Sequence, residues 1–556
     1  MTSGPTSPRK TLTLFGFFAI TASMVMTVYE YPTFATSGLN LVFFLLLGGF
    51  CWFIPVALCA AEMATVKGWE EGGIFKWVGA TLGERWGFAA IFFQWLQITV
   101  GFVTMIYFIL GAVGYVLDWD SLDNDPWMKF AGVLVVFWVL TLSQLGGTKY
   151  TARIAKAGFV GGILIPGIVL FILAIAYLAT GGHVDIDMSA SNIVPDFSQV
   201  ATLVVFVSFI LAYMGVEASA SHVNEMVNPR RDYPLAMFLL VIVAVLFNTI
   251  GGLSVAAVVP ESELSLSAGV VQTFAGLLEH FSHGLVWLAK VLAVMIALGV
   301  AGEVSAWVVG PARGMYVTAQ QGILPKSMRK VNKADVPVNF VAVQGVIVTG
   351  WAALLTFGGG SGNVSFFTAI ALTTVIYLVG YLLFFIGYMV LVIKKKNLER
   401  AYQIPGGTVV KMIVAVVGFV VSGFALVISF FTPSNLAKRY DTEYTTILVC
   451  AFVVAVALPF LIYAMHDKKL HTHFVLPRRL RHDEVNKFVP PIARGEHAIV
   501  TEGEDVMDQT DNVRDQATPG GAARDGDTPD RVRRGEPVRP ADPRHLGADG
   551  GTPDRP

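Results

Sequence analysis

The chain has 556 residues, of which 54% are apolar and only 14% charged, with a formal net charge of −1. Its hydrophobic segments mostly reach or exceed the roughly 20 residues needed to cross a bilayer, which excludes an ordinary soluble protein and points to a polytopic all-α membrane protein. The near-zero net charge becomes informative only when it is distributed over the loops, and no nucleic-acid partner is expected.

In chain order, a polar cytoplasmic leader at 1–11 carries Arg9 and Lys10 and precedes an apolar run at about 12–35. That run is too long for a signal peptide and is followed by further spans, so it reads as an uncleaved first helix. Further runs lie at about 40–65, 85–117, 127–145, 153–180, 200–224, 233–259, 284–318, 336–357, 364–393, 409–431 and 443–465. Twelve transmembrane helices are therefore predicted within a body at 12–466. Basic residues cluster in alternate loops, as in Lys326, Arg329, Lys330 and Lys333 or Lys394, Lys395, Lys396 and Arg400, whereas the intervening loops hold only Lys129, Lys438 and Arg439. Under the positive-inside rule this asymmetry places both termini in the cytoplasm and supports an even number of spans.

Polar chemistry interrupts the first and sixth runs, at Ala22-Ser23-Met24-Val25-Met26-Thr27-Val28-Tyr29-Glu30 and Tyr213-Met214-Gly215-Val216-Glu217. This is the spacing expected of two five-helix halves built on one plan, at about 12–180 and 200–393, with extra helices at 409–465 outside the repeat. Discontinuous helices in matching positions of two repeats mark a transporter's substrate site, because unwound backbone offers amides and carbonyls at mid-membrane. The backbone at Ser23, Met24, Val25, Met26 and Gly215 is expected to serve in this way.

Beyond the last run the composition changes abruptly. Residues 466–500 are basic, with His466, His471, His473, His482 and His497 among Arg478, Arg479, Arg481 and Arg494. From 501 to 556 Gly, Pro, Asp and Arg dominate, and such a tail buries too little apolar surface to offset its ordering entropy, so it is expected to be disordered. Cys51, Cys59 and Cys450 fall inside apolar runs, where a thiol behaves as a small buried hydrophobe, and neither a disulfide framework nor a metal site is implied.

A charge at the centre of a membrane helix costs about 2.5–3.5 kcal/mol, so each ionisable residue in the runs requires a reason. The candidates are Glu30, Glu62, Glu217 and Glu303, together with Lys290 and Arg313. Glu62 precedes Lys67, Glu70 and Glu71 and reads as an interfacial or capping carboxylate. Glu217 and Glu303 have apolar turns on both sides and should face the bundle interior. Buried carboxylates suit proton uptake or substrate binding, and they equally suit structural bonds to a neighbouring Ser or Tyr; for Glu217 both roles stay open. Tyr29, Trp307, Tyr377 and Tyr381 form an aromatic set, in which Trp307 shares a helix face with Glu303 and Tyr381 with Tyr377. Such rings close over an ammonium and donate hydrogen bonds to a carboxylate. The chain has no Walker-type glycine loop, HExxH or CxxC motif, so neither an enzyme nor an ATP-driven pump is expected, and no cofactor.

Tyr-Met-Gly-Val-Glu-Ala-Ser-Ala at 213–220, His-Val-Asn-Glu-Met at 222–226, Arg-Asp-Tyr-Pro-Leu-Ala-Met at 231–237, Gly-Pro-Ala-Arg-Gly-Met-Tyr-Val-Thr-Ala at 310–319 and Phe-Ala-Ile-Thr-Ala-Ser-Met-Val-Met at 18–26 carry a family resemblance. Together with Trp69-Glu70-Glu71-Gly72-Gly73 and Gly146-Gly147-Thr148-Lys149-Tyr150-Thr151-Ala152-Arg153, they resemble the bacterial glutamate/γ-aminobutyrate antiporters of the amino acid–polyamine–organocation (APC) superfamily. The resemblance covers about 10–466 and implies a LeuT-type 5+5 inverted repeat plus two helices. It also implies a substrate path through Tyr29, Glu217, Glu303, Trp307, Tyr377 and Tyr381, and a plug-like segment at 467–500 that closes the cytoplasmic path at neutral pH. Protonation of His466, His471, His473, His482 and His497 is expected to release that segment in acid, since histidine changes charge between about pH 5 and 8. Two departures stand out. The superfamily's glycine-rich break in helix 1 is replaced by Ser23-Met24-Val25-Met26, and the lysine that many relatives carry midway along helix 5 is replaced by Gly161-Gly162.

The implied activity is exchange of external glutamate for internal γ-aminobutyrate across the inner membrane, coupled in function to a cytoplasmic glutamate decarboxylase and contributing to acid resistance by removing protons. A proton- or sodium-coupled amino acid symporter on the same fold is the alternative, and an amino-acid-sensing membrane receptor is a further one.

Overall fold

The computed structural model describes residues 13–466, apart from 70–72, 146–153, 155–156, 188, 220–225, 335, 359–361, 434–435 and 437–439. The plug-like segment, the tail and four of the five gate histidines, His471, His473, His482 and His497, lie outside the described residues. Among the described residues the regular structure is helical, with no strand, and Val66 and Arg400 form an isolated antiparallel bridge.

The first predicted run is divided. Helix α1 (Leu14–Val25) ends where Met26 turns extended, and α2 (Tyr31–Ala35) begins after Glu30. Helix α3 (Asn40–Ala64) follows, with one π turn at Gly49–Phe53, and then the short α4 (Gly73–Leu82). Next come α5 (Glu84–Leu117), α6 (Pro126–Gln144) and α7 (Phe159–Ala179). The sixth run is divided like the first, into α8 (Val200–Leu211) and α9 (Val216–Ser219). The chain continues through α10 (Pro229–Val258), α11 (Gly269–Phe281), α12 (Trp287–Gln320), α13 (Val338–Gly358), α14 (Gly362–Lys394), α15 (Gly407–Ile428) and α16 (Asp441–Met465).

Ten helices among the described residues are long and apolar enough to cross a bilayer. Twelve such runs were expected, and the difference lies in the two divided ones. At about 1.5 Å per residue, α1 with its 12 residues reaches roughly 18 Å, short of a hydrocarbon core of about 30 Å. The same holds for α8.

Local chemistry sets several helix starts. Asp125 caps α6, its side chain accepting from the Met128 amide at 2.9 Å, and Pro126 occupies the first turn, where its missing N–H costs nothing. Gly406 and Gly407 both have positive φ, 97° and 74°, and turn the chain into α15 in a conformation that a side chain would strain.

Helix α5 is the central post, buried over most of its length, and packs most extensively against α12 and α14. Helices α15 and α16 sit outside it, α15 on α14 and α3, α16 on α14 and α5. Their outer faces expose Val409, Ile413, Val420, Val427, Val453 and Leu461, as a helix with lipid for a solvent requires. Cys450 is on such an outer face, which corrects the expectation that all three thiols are buried; Cys59 is buried, Cys51 half-buried, and none forms a disulfide.

Helices α7 and α12 meet without intervening side chains. A Cβ on Gly162 would lie 2.3 Å from the Gly299 Cα, and one on Gly299 would lie 2.7 Å from the Gly162 carbonyl carbon. This contact accounts for glycine at 162, since no longer side chain fits there.

Candidate functional site

The two chain breaks lie beside the central post. In the first, Ser23, Met24 and Val25 are still helical, and the backbone leaves the helix at Met26 with ψ 118°, so the interruption sits at Met26–Glu30, one turn later than expected. In the second, the turn after α8 ends at Gly215, whose φ of 99° is open to glycine at little cost.

Glu217, in the first turn of α9, is buried and fully bonded. Its Oε1 accepts from the Tyr377 hydroxyl at 2.5 Å and from Gln94 Nε2 at 3.0 Å, and its Oε2 accepts from the Tyr381 hydroxyl at 2.5 Å. Gln94 also donates to the Tyr377 oxygen at 2.7 Å, and the Gly215 amide donates to the Tyr381 oxygen at 3.2 Å. The two tyrosine rings are 4.4 Å apart, and Trp52 meets Tyr381 edge-on at 4.7 Å. This network ties the second break to α5 and α14.

Tyr29, Glu303 and Trp307 come together elsewhere, around a cavity that Glu30, Gln97 and Thr373 also line. It measures about 30 Å³, room for roughly two waters, so a solute the size of an amino acid enters only if helices move. Glu30 is fully buried, with the neighbouring Tyr29 hydroxyl as its one polar side-chain contact among the described residues, and Glu303 Oε2 has no hydrogen-bond partner there. A carboxylate oxygen left without a donor in apolar surroundings favours a proton or a cation. The six expected side chains thus fall into two neighbouring groups, a bonded one around Glu217 and an unsatisfied one around Glu303.

Glu30 stands out in the sequence as an ionisable residue but not as part of the expected substrate path, and Gln94 and Gln97, being uncharged, give no such signal. The sequence neighbours of Glu62 suggest an interface. Glu62 is instead completely buried, its Oε1 paired with Arg400 at 2.7 Å and Lys411 at 2.6 Å, its Oε2 accepting from Tyr388 at 2.8 Å and the Ile404 amide at 2.9 Å. The 395–406 connector folds over the end of α3 and shuts water out. Lys290 is no site residue; it pairs with the exposed Asp118 at 2.6 Å. His466, at the end of α16, is the one gate histidine among the described residues. No group of His, Cys, Asp and Glu suited to hold a metal occurs among the described residues.

The amino acid permease family model matches residues 12–456. A glutamate/γ-aminobutyrate antiporter of Lactococcus lactis is 63% identical over 90% of this chain and 99% of its own length. An uncharacterized transporter of Legionella pneumophila is 31% identical over 83% of this chain and 98% of its own length. The putrescine transporter of Escherichia coli is 24% identical over 64% of this chain and 76% of its own length. These matches, on an all-helical body with ten bilayer-length spans and two broken runs flanking a carboxylate-lined cavity, make the chain a multi-pass membrane transporter, and it belongs to the amino acid permease family.

Proposed function

We propose that the chain exchanges external glutamate for internal γ-aminobutyrate across the inner membrane, on a LeuT-type body of twelve crossing segments. In this reading the repeats run over about 12–180 and 200–393, both termini are cytoplasmic, and 467–500 plugs the inner path. The observation that carries the assignment is the unsatisfied carboxylate cavity beside the first break, in a chain this similar to an antiporter so named.

The two solutes share an ammonium and a distal carboxyl at the same separation, because decarboxylation removes only the α-carboxylate. One pocket serves both. Glu303 and Glu30 meet the ammonium, with Trp307 and Tyr29 as the aromatic wall, since a buried carboxylate without a partner gains most from a cation. Backbone amides at the breaks take the α-carboxylate when it is present. Glu217, Tyr377 and Tyr381 act by holding Gly215, and hence the second break, in place. Decarboxylation of glutamate by a cytoplasmic decarboxylase consumes a proton, so export of its product for fresh substrate removes acid from the cell.

Counterflow in sealed proteoliposomes tests this directly. Labelled glutamate should enter only vesicles preloaded with γ-aminobutyrate or glutamate. Uptake into empty vesicles driven by a proton or sodium gradient would instead make the protein a symporter.

A further inference from the structure

The connector between α14 and α15 encloses a second cavity, of about 310 Å³ and open to one side, which the transport reading does not use. Lys396, Arg400, Gln403, Gly406, Thr408 and Lys411 line it, and no acidic residue does. The connector is held rigidly against the end of α3. The Lys67 amide donates to Glu399 O at 2.9 Å, the Ala401 amide to Thr65 O at 3.2 Å and the Tyr402 amide to Thr65 Oγ1 at 3.1 Å.

The charges around it do not balance. Arg400 Nη1 and Lys411 Nζ share a single carboxylate oxygen of Glu62, so one positive charge is left over, and Lys396 at the rim adds another. Arg400 is only 7% exposed, yet its Nε has no acceptor. A buried guanidinium N–H without a partner costs free energy that an anion would recover. The start of α15 adds to this: it carries no side-chain cap, and its first residues, Gly407 and Thr408, line the cavity. Orphan amides and the positive end of a 22-residue helix favour an anion at that place.

We propose that this cavity binds a phosphate-bearing anion. Lys411 Nζ also donates to Gln403 Oε1 at 2.9 Å and Arg400 Nη2 to Lys396 O at 3.0 Å. The donors left for a ligand are therefore Arg400 Nε, the Lys396 ammonium and the amides opening α15, a set on a concave site that suits a tetrahedral oxyanion. The cavity lies where two spanning helices end, the level at which basic pockets between helices take lipid head groups. A phospholipid phosphate and free inorganic phosphate share this chemistry.

The test is direct binding to the full-length protein, purified in detergent and stripped of lipid. Native mass spectrometry would count bound short-chain phosphatidylglycerol against zwitterionic phosphatidylcholine, and calorimetry would measure inorganic phosphate. The variants are Lys396→Gln, which removes a rim charge that takes no part in the Glu62 cluster, and Lys326→Gln, an exposed lysine outside the cavity, as the control. The expected result is tighter binding of one phosphate ligand than of phosphatidylcholine, weakened about fivefold by loss of a single lysine in Lys396→Gln and unchanged in Lys326→Gln. Binding of phosphatidylglycerol without inorganic phosphate assigns the site to a lipid, and comparable binding of both assigns it to the free anion. Equal affinities in the wild type and Lys396→Gln, or no preference over phosphatidylcholine, overturn the proposal.

Discussion

Glu217 and Glu303 are both carboxylates inside apolar helices, and their surroundings give them opposite consequences on mutation. Glu217 has three donors aimed at it, so Glu217→Gln keeps one acceptor oxygen and turns the other into an NH2, leaving at least one buried donor without its acceptor. A loss of about 1–3 kcal/mol of stability is expected, visible as a lower melting temperature in detergent. Glu303 has an oxygen with nothing bonded to it, so Glu303→Gln should leave the melting temperature unchanged and flatten the dependence of exchange on pH. An unaltered pH profile would reassign Glu303 to packing. Trp307→Ala should cut exchange at least about tenfold, roughly the worth of a desolvated cation–π contact together with its packing, while the protein elutes as a single species. Tyr381→Ala should also abolish most exchange, with a fall in melting temperature, because it frees both Glu217 Oε2 and the Gly215 amide. Tyr29, Glu217, Glu303, Trp307, Tyr377 and Tyr381 could be singled out from the sequence because charged and polar aromatic side chains stand out in apolar helices. Their division into two groups could not be read there, since spacing along one helix says nothing of which carboxylate a tyrosine on another helix reaches. Glu62 was misread for a related reason: its cover, Arg400 to Ile404, comes from a connector more than three hundred residues away.

At the level of elements, hydrophobic runs located the ten unbroken spans and both interruptions, because length and mean hydropathy suffice for those. The helices α4 and α11 escaped notice. Each is short and buries only one face, Ile74, Phe75, Trp77 and Val78 in one, Val270, Val271, Phe274, Leu277 and Leu278 in the other. A three-turn stripe of that kind is lost in a chain searched for bilayer-length segments. The exact place of the first break was also hidden, because Ser23-Met24-Val25 is compatible with helix and stays helical, and the backbone departs only at Met26. The second break depends on Gly215, at φ 99°. Gly215→Ala should therefore destabilise the protein by about 1–3 kcal/mol and depress exchange, and unchanged melting and transport would show that the break tolerates a side chain.

For the whole molecule, the prediction concerns the segment that follows α16. Five of the ten histidines lie between His466 and His497 beside a run of arginines, and histidine changes charge between about pH 5 and 8. If the segment docks on the basic end of the body, its protonation at low pH adds repulsion and releases it, whereas neutral pH lets it close the path. Truncation after His466 should extend exchange toward neutral pH without changing substrate choice, and deletion of 501–556 alone should change little. Both are read by proteoliposome exchange over a pH series; a truncated protein as silent at neutral pH as the full chain would place the gate within the helices.

The glycine contact between α7 and α12 has a mechanical meaning for that body. Where two backbones touch with no side chain between them, one helix can tilt against the other without any rotamer having to change, so any such tilt would pivot at Gly162 and Gly299. Glu303 stands one helical turn from Gly299 on the same stripe of α12. A rocking motion about that point would widen or narrow the cavity directly at its carboxylate, and the lever arm is so short that even a few degrees of tilt move the acid by less than the width of a water. The smallest residues in the bundle would thus set how finely the gap beside Glu303 can be adjusted.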